Sequence, residues 1–216
     1  MPGAQDRSYF DDNYADYEKQ TSPAKLRFYM SLLRRWVPPG GRVFELGAGL
    51  GHFLGEAAKE YDCRGCDVNA YGVAAARART REDAVFEGSF ETLASQPRQA
   101  AVVSWDMLEH IADIDGALSA VHAALEADGV LIAAVPVYDG PLGWLVRRLD
   151  RDRTHVWKLS RRDWIARLER HGFEVVEWGG IVRRLVFRRI YIHLVRPQWL
   201  LRRVGSAIYV VARKKT

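Results

Sequence analysis

The residues best placed to do chemistry begin at "VFELGAGLGHF", residues 43–53, where Glu45 precedes three alternating glycines, Gly47, Gly49 and Gly51. Glycine within an ordered element costs stability, so a cluster of this kind marks close approach of backbone to a ligand. A second carboxylate, Asp67, follows 20 residues after Gly47 at the end of a predicted strand. Two histidines in loops, His110 in "DMLEH" and His155 in "DRTH", could accept a proton from a hydroxyl. Each histidine taken alone reads somewhat more readily as structural than as catalytic. His52, His122, His171 and His193 fall on helix or insert positions and are not nominated.

The glycine loop discriminates between nucleotide folds. A dinucleotide fingerprint aligned on Gly47 and Gly49 puts His52 where its third glycine belongs, and a phosphate loop fails because no Lys-Ser/Thr follows. "CRGC" holds the two cysteines, Cys63 and Cys66, on a predicted strand. Three residues apart on a strand they face opposite ways, beyond disulfide reach, and two are too few for a zinc site. No metal centre is expected.

The elements that must position these groups alternate. Ser22-Pro23 opens a helix with an apolar stripe through Leu26, Tyr29, Met30, Leu33 and Val37. "RVFEL", "CRGCDV", "AAVVSW" and "VLIAAV" read as buried strands, with helices at 51–60, at 70–79 and around Ile114–Leu125 between them. "AVF" at 84–86 is a short strand. Ser160 and Asp163 form a capping box, and "FEVVEW" and "AIYVVAR" are two further strands. Apolar strands alternating with helices predict a parallel sheet covered on both faces.

The 216 residues fit one domain, with no signal peptide and no apolar run of spanning length. The expected place is the cytoplasm. Charge is unevenly spread: residues 1–140 carry a net −8 and residues 141–216 a net +13. The basic third either faces something anionic or neutralises the acidic remainder within one fold. On a helix, residues 182, 186, 190 and 194 would form one apolar line among paired arginines, which suits an anionic membrane surface, cover over the site, or a subunit contact.

The glycine loop resembles the E/D-x-G-x-G-x-G motif of class I S-adenosylmethionine-dependent methyltransferases. "AVVSWDMLEHIAD", "LEADGVLIAAVP" and "DRTHVWKLSRRDWIARLERHGFEVVE" are similar to later motifs of that family, in order. The resemblance implies a Rossmann-like α/β fold: a mostly parallel seven-stranded sheet with helices on both faces and the last strand antiparallel. It implies one domain, with an N-terminal helical lid at 1–39, a cofactor-binding core at 40–178, a basic apolar insert at 179–205 and a final strand at 206–216. S-adenosylmethionine is the implied cofactor. Glu45, Gly47, Ala48, Gly49, Gly51, Asp67, Val68, Ser89, Phe90, Trp105 and Asp106 are its implied contacts. Ser89 stands where relatives often carry an Asp for the adenine amine, and Trp105 reads equally as core or as adenine wall. Tyr14, Tyr17, Tyr138 and Trp144 would line an aromatic acceptor site.

The implied reaction is methyl transfer to a small molecule, with a hydroxyl of a natural product, sugar or quinone-like acceptor as the leading reading. The alternatives are N-methylation of a small amine, or a nucleic-acid- or membrane-associated enzyme using the basic third. No nucleic-acid partner is expected, since the base-methylation motif is missing. The chain would act as monomer or homodimer.

Overall fold

The computed structural model describes residues 21–141, 143–150, 152, 154–186 and 190–215. Ser22 caps helix α1 (Pro23–Trp36), its hydroxyl accepting from the Lys25 backbone N–H at 3.3 Å, with proline in the first turn. The central strands are β1 (Arg42–Leu46), β2 (Asp62–Asp67), β3 (Val85–Glu87), β4 (Gln99–Trp105) and β5 (Leu125–Pro136). They pair in parallel, with Val43 beside both Cys63 and Ala101. Helices α2 (His52–Ala57), α3 (Ala70–Arg79) and α4 (Ile114–Ala124) connect them, and the short α5 (Gly143–Leu149) follows β5.

Beyond α5, Ser160 and Asp163 make the reciprocal capping box that opens α6 (Arg161–Arg170). Strands β6 (Phe173–Val186), β7 (Ile190–Leu194) and β8 (Ala207–Lys214) complete the sheet, with α7 (Gln198–Val204) before the last. The order is β3-β2-β1-β4-β5-β8-β6-β7, with β8 antiparallel between β5 and β6. Eight strands are thus present among the described residues, one more than expected.

The extra strand corrects the reading of the insert. Residues 181–186 and 190–194 are not a helix but a hairpin, β6 running on from "FEVVEW" and β7 returning beside it. The apolar residues spaced for one helical line become cross-strand partners instead, Val182 with Leu194 and Val186 with Ile190. Among the described residues of this segment only α7 is helical, and it leaves Trp199 and Leu200 exposed. No described helix is long and apolar enough to cross a membrane.

Two apolar layers sandwich the sheet because successive strand residues face opposite ways. Val43, Val103 and Ile132 meet Tyr29, Leu33, Phe53 and Leu54 on one side. Phe44, Val102 and Leu131 meet Leu118, Val121, Trp164 and Leu168 on the other. Cys63 enters the first layer and Cys66 the second, as the strand period requires. Burial pushes both thiols up to about 12, so they remain inert core residues.

Candidate functional site

The carboxyl ends of β1, β2, β4 and β5 converge where parallel sheets hold ligands. Glu45 lies on β1, paired to Gly65 of β2, and is buried with its Oε2 lacking any hydrogen-bond partner among the described residues. Burial, with the nearby Asp67 charge adding, raises its pKa well above the carboxylate range. Beside the glycine loop, this buried oxygen can accept a hydrogen bond from a ligand or pair with a cationic one.

Gly47, Gly49 and Gly51 all adopt positive φ, at 77°, 52° and 78°. At Gly51 a Cβ would lie 2.5 Å from the Ala76 Cα, so this glycine lets α3 approach the loop. Asp67 closes the loop from β2. Its Oδ2 accepts the Gly49 N–H at 2.7 Å and its Oδ1 accepts the Asn69 N–H at 2.9 Å. Burial raises its pKa, while these backbone donors work the other way. Each oxygen keeps acceptor capacity for a further donor. Val68 beyond it is exposed, and Ser89 caps a short 3-10 turn at Phe90–Ser95 without using its side chain as the cap. Phe90 packs on the second core layer. Ala48 is buried in the first, directly within the loop.

Trp105, the last residue of β4, stacks on Tyr29 of α1 at 3.9 Å and 6° and meets Phe53 edge-on at 5.1 Å. The core-aromatic reading therefore describes one of its faces. Asp106 follows at φ 58° and forms ion pairs with Lys25 of α1 (3.3 Å) and Arg183 of β6. Burial alone would raise its pKa, but the two cations win and hold it near 2. Its position thus joins the N-terminal helix and the hairpin over the end of β4.

The second focus lies one turn further on. Glu109 is 1% exposed, and neither carboxylate oxygen has a hydrogen-bond partner among the described residues. Its backbone carbonyl accepts N–H bonds from Val156 and Trp157, and the Trp157 indole donates to the Ile111 carbonyl at 2.8 Å. These bonds dock the "THVW" segment onto the turn after β4 and bring His110 and His155 together, ring centroids 4.7 Å apart. His155 Nδ1 lies 2.9 Å from Asp150 Oδ2 and 2.9 Å from the Tyr138 hydroxyl, which itself donates to Asp150 at 2.6 Å. Lys158 also reaches Asp150 at 2.9 Å. His155 Nε2 faces Glu109 Oε1 at 4.0 Å and Asp152 Oδ2 at 3.7 Å. His110 Nδ1 meets Thr154 Oγ1 at 2.8 Å, and burial followed by the neighbouring His155 lowers its pKa.

Of the nominated residues, His110, His155 and Tyr138 therefore meet in one cluster. Trp144 does not join them; it is 68% exposed on α5. Tyr14 and Tyr17 lie outside the described residues. Sequence reasoning missed Asp150, Asp152 and Thr154. The local signal was the density of acidic and hydroxyl residues in "DRDRTH", which carries no periodicity. Lys25 and Arg183 left no signal, because their partner is distant in the chain.

A family profile described as "Methyltransferase domain" matches residues 17–178, three quarters of the sequence. The chain belongs to this methyltransferase family. The matched span holds the glycine loop, Asp67, Glu109 and both histidines. No curated protein sequence matches, but many solved structures share the fold. A Haloferax volcanii protein described as a putative methyltransferase, solved in complex with the Trm112 methyltransferase activator, is similar at a TM-score of 0.73 and 20% identity, covering 99% of this chain and 100% of that one. A Thermotoga maritima S-adenosylmethionine-dependent enzyme, titled a possible histamine N-methyltransferase, gives 0.66 and 20%, covering 97% and 99%. The [4+2]-cyclase SpnF gives 0.64 and 18%, covering 89% and 82%. At such identities the likeness is one of fold. Family and fold together make this methyltransferase a class I, S-adenosylmethionine-dependent enzyme.

Proposed function

We propose that this methyltransferase moves a methyl group from S-adenosylmethionine to a hydroxyl of a small-molecule acceptor. The residues fit the cofactor: Glu45 offers an unsatisfied carboxylate, Gly47 and Gly49 a close backbone, and Asp67 spare acceptor capacity for ribose hydroxyls. When bound, the cofactor supplies an electrophilic methyl on a positive sulfur. Glu45 and Asp67 would hold it at the sheet edge, and Val68 would flank the adenosine. Much of the rate would come from holding the acceptor oxygen in line with that methyl.

The observation that carries the hydroxyl reading is the Asp150–His155 pair. In the tautomer that gives Nδ1–H to Asp150 at 2.9 Å, His155 carries its lone pair on Nε2, on the side of Glu109 and Asp152. An amine acceptor needs no such group, because its neutral lone pair attacks directly. A hydroxyl does need one, and general-base help supplies about 10²–10⁴ in rate.

The test is turnover of methyl-labelled S-adenosylmethionine against pooled phenolic, sugar and isoprenoid-quinone acceptors, with products resolved as ethers or amines. Ether formation that falls at least about 100-fold in His155→Ala supports the reading. Amine products, or ether formation indifferent to His155, overturn it.

A further inference from the structure

Glu109, which is buried, and the half-buried His110 and His155 present three ligand-type atoms, all within 4.8 Å of one another. We propose that these residues bind a divalent metal cation of nitrogen–oxygen preference, which the acceptor hydroxyl then joins as a ligand. The inference rests on the reading of this cluster as the acceptor-activating site, and it changes what His155 does there.

Three features argue for a cation. The first is Glu109, a carboxylate 1% exposed whose two oxygens find no hydrogen-bond donor among the described residues. Burying a carboxylate without a hydrogen-bond donor is costly, and a directly bound cation would offset that cost. The second is the orientation of the imidazoles. Both have Nδ1 engaged from behind, His155 by Asp150 Oδ2 at 2.9 Å and His110 by Thr154 Oγ1 at 2.8 Å. Thr154 is itself held by Asp152 Oδ1 at 2.5 Å. Metal-bound histidines are held in this way, the outer nitrogen pinned by a carboxylate or hydroxyl and the inner one turned to the ion. The third is spacing. A point equidistant from three atoms no more than 4.8 Å apart lies within about 3 Å of each. Small side-chain rotations would close that to the roughly 2.0–2.2 Å of metal–nitrogen and metal–oxygen bonds.

Two histidines and one carboxylate make an open set suited to transition-metal dications rather than to calcium or magnesium, which favour all-oxygen sites. Asp152 Oδ2, 3.7 Å from His155 Nε2, stands near enough to supply a fourth ligand. The remaining position would take the acceptor oxygen. Bound there, the hydroxyl loses its proton to solvent, as metal-bound water does near neutral pH. The oxygen lone pair then forms the O–C bond while the C–S bond breaks and its electrons return to sulfur. His155 would in that case be a ligand, and the cation would replace it as the source of a nucleophilic oxygen.

The test is manganese binding to EDTA-treated full-length protein, followed by loss of the free Mn²⁺ paramagnetic resonance signal, with Zn²⁺ as competitor. The expected result is one Mn²⁺ per chain, displaced by Zn²⁺. Affinity should fall at least about tenfold in Glu109→Gln and His110→Gln and stay unchanged in the surface variant Asp83→Asn. In the wild-type protein, Mn²⁺ should broaden the imidazole proton resonances of His110 and His155 and spare those of His122. The last measurement needs no variant to fold. No saturable uptake of either metal, uptake indifferent to Glu109 and His110, or broadening at other histidines would overturn the proposal. Because binding is read without methyl transfer, its failure leaves the general-base reading standing, and an amine product would not by itself abolish the site.

Discussion

Gly49 donates its backbone N–H to Asp67 Oδ2 at 2.7 Å, joining the middle of the glycine loop to the end of the neighbouring strand. One carboxylate thus shapes the loop and, on the proposed reading, meets the ribose. Asp67→Ala is expected to weaken S-adenosylmethionine binding by about 10- to 100-fold, the equivalent of roughly 1.5–3 kcal/mol for hydrogen bonds to a charged group. Calorimetric titration of the folded variant checks it. Unchanged affinity would remove Asp67 from the cofactor site.

Gly49 and Gly51 should fail in different ways. Gly51→Ala must hold φ near 78° and push its Cβ into the α3 backbone at Ala76, so it should cost about 2–4 kcal/mol of stability. Gly49→Val is expected to abolish cofactor binding while much of the fold survives. Denaturant unfolding and cofactor titration on both variants separate the two. Equal loss of stability in both would contradict the division.

Glu45 gives a pH-dependent prediction. Its folded pKa is raised, so ionising it costs the ligand-free protein stability. That cost is absent below the unfolded carboxylate range and grows as pH climbs through the folded value. Glu45→Gln should therefore be more stable than the parent at pH 8 and equal to it near pH 4, without cofactor. It should also bind S-adenosylmethionine about tenfold or more weakly. Thermal unfolding at the two pH values, with and without cofactor, tests both halves. A variant less stable at pH 8 would show that Glu45 is compensated in the free protein.

The Asp106 ion pairs carry the opposite sign. With a folded pKa near 2, Asp106 contributes stability that is complete above about pH 4 and lost as pH falls toward 2. The contribution is on the order of 2 kcal/mol. Parent and Asp106→Asn should differ by about that amount at pH 6 and converge near pH 2. Urea denaturation across that range measures it, and a pH-independent gap would mean the ion pairs with Lys25 and Arg183 are not the cause.

Local chemistry was legible in the sequence wherever one short stretch decided the outcome. Ser22-Pro23 and Ser160–Asp163 announced their helix starts because a cap needs only three or four residues. The two cysteines declared their opposite faces through strand period alone. The hairpin at 181–194 did not, because its apolar residues fit i, i+4 spacing as well as cross-strand pairing. Only a partner strand could decide between them: β8 holds β6 from Phe173 to Ile181, and β7 pairs with it from Val182 to Val186. The histidine cluster was half visible: His110 and His155 are the right residues in loops, but the bonds from Val156 and Trp157 to the Glu109 carbonyl that join them span nearly fifty positions. The Lys25–Asp106 contact spans 81.

The clamp on Asp106 crosses the boundary of the matched span. Lys25 and Asp106 fall inside the stretch that matches the family profile, 17–178, whereas Arg183 falls just outside it, on the extension of β6 beyond the shared core. The glycine loop, Asp67 and the histidine cluster all belong to the shared part. The ion pair between Asp106 and Arg183 therefore ties a residue inside the matched span to one beyond its end. A change at Arg183 acts on the end of β4 from outside the span that holds the glycine loop and the histidine cluster.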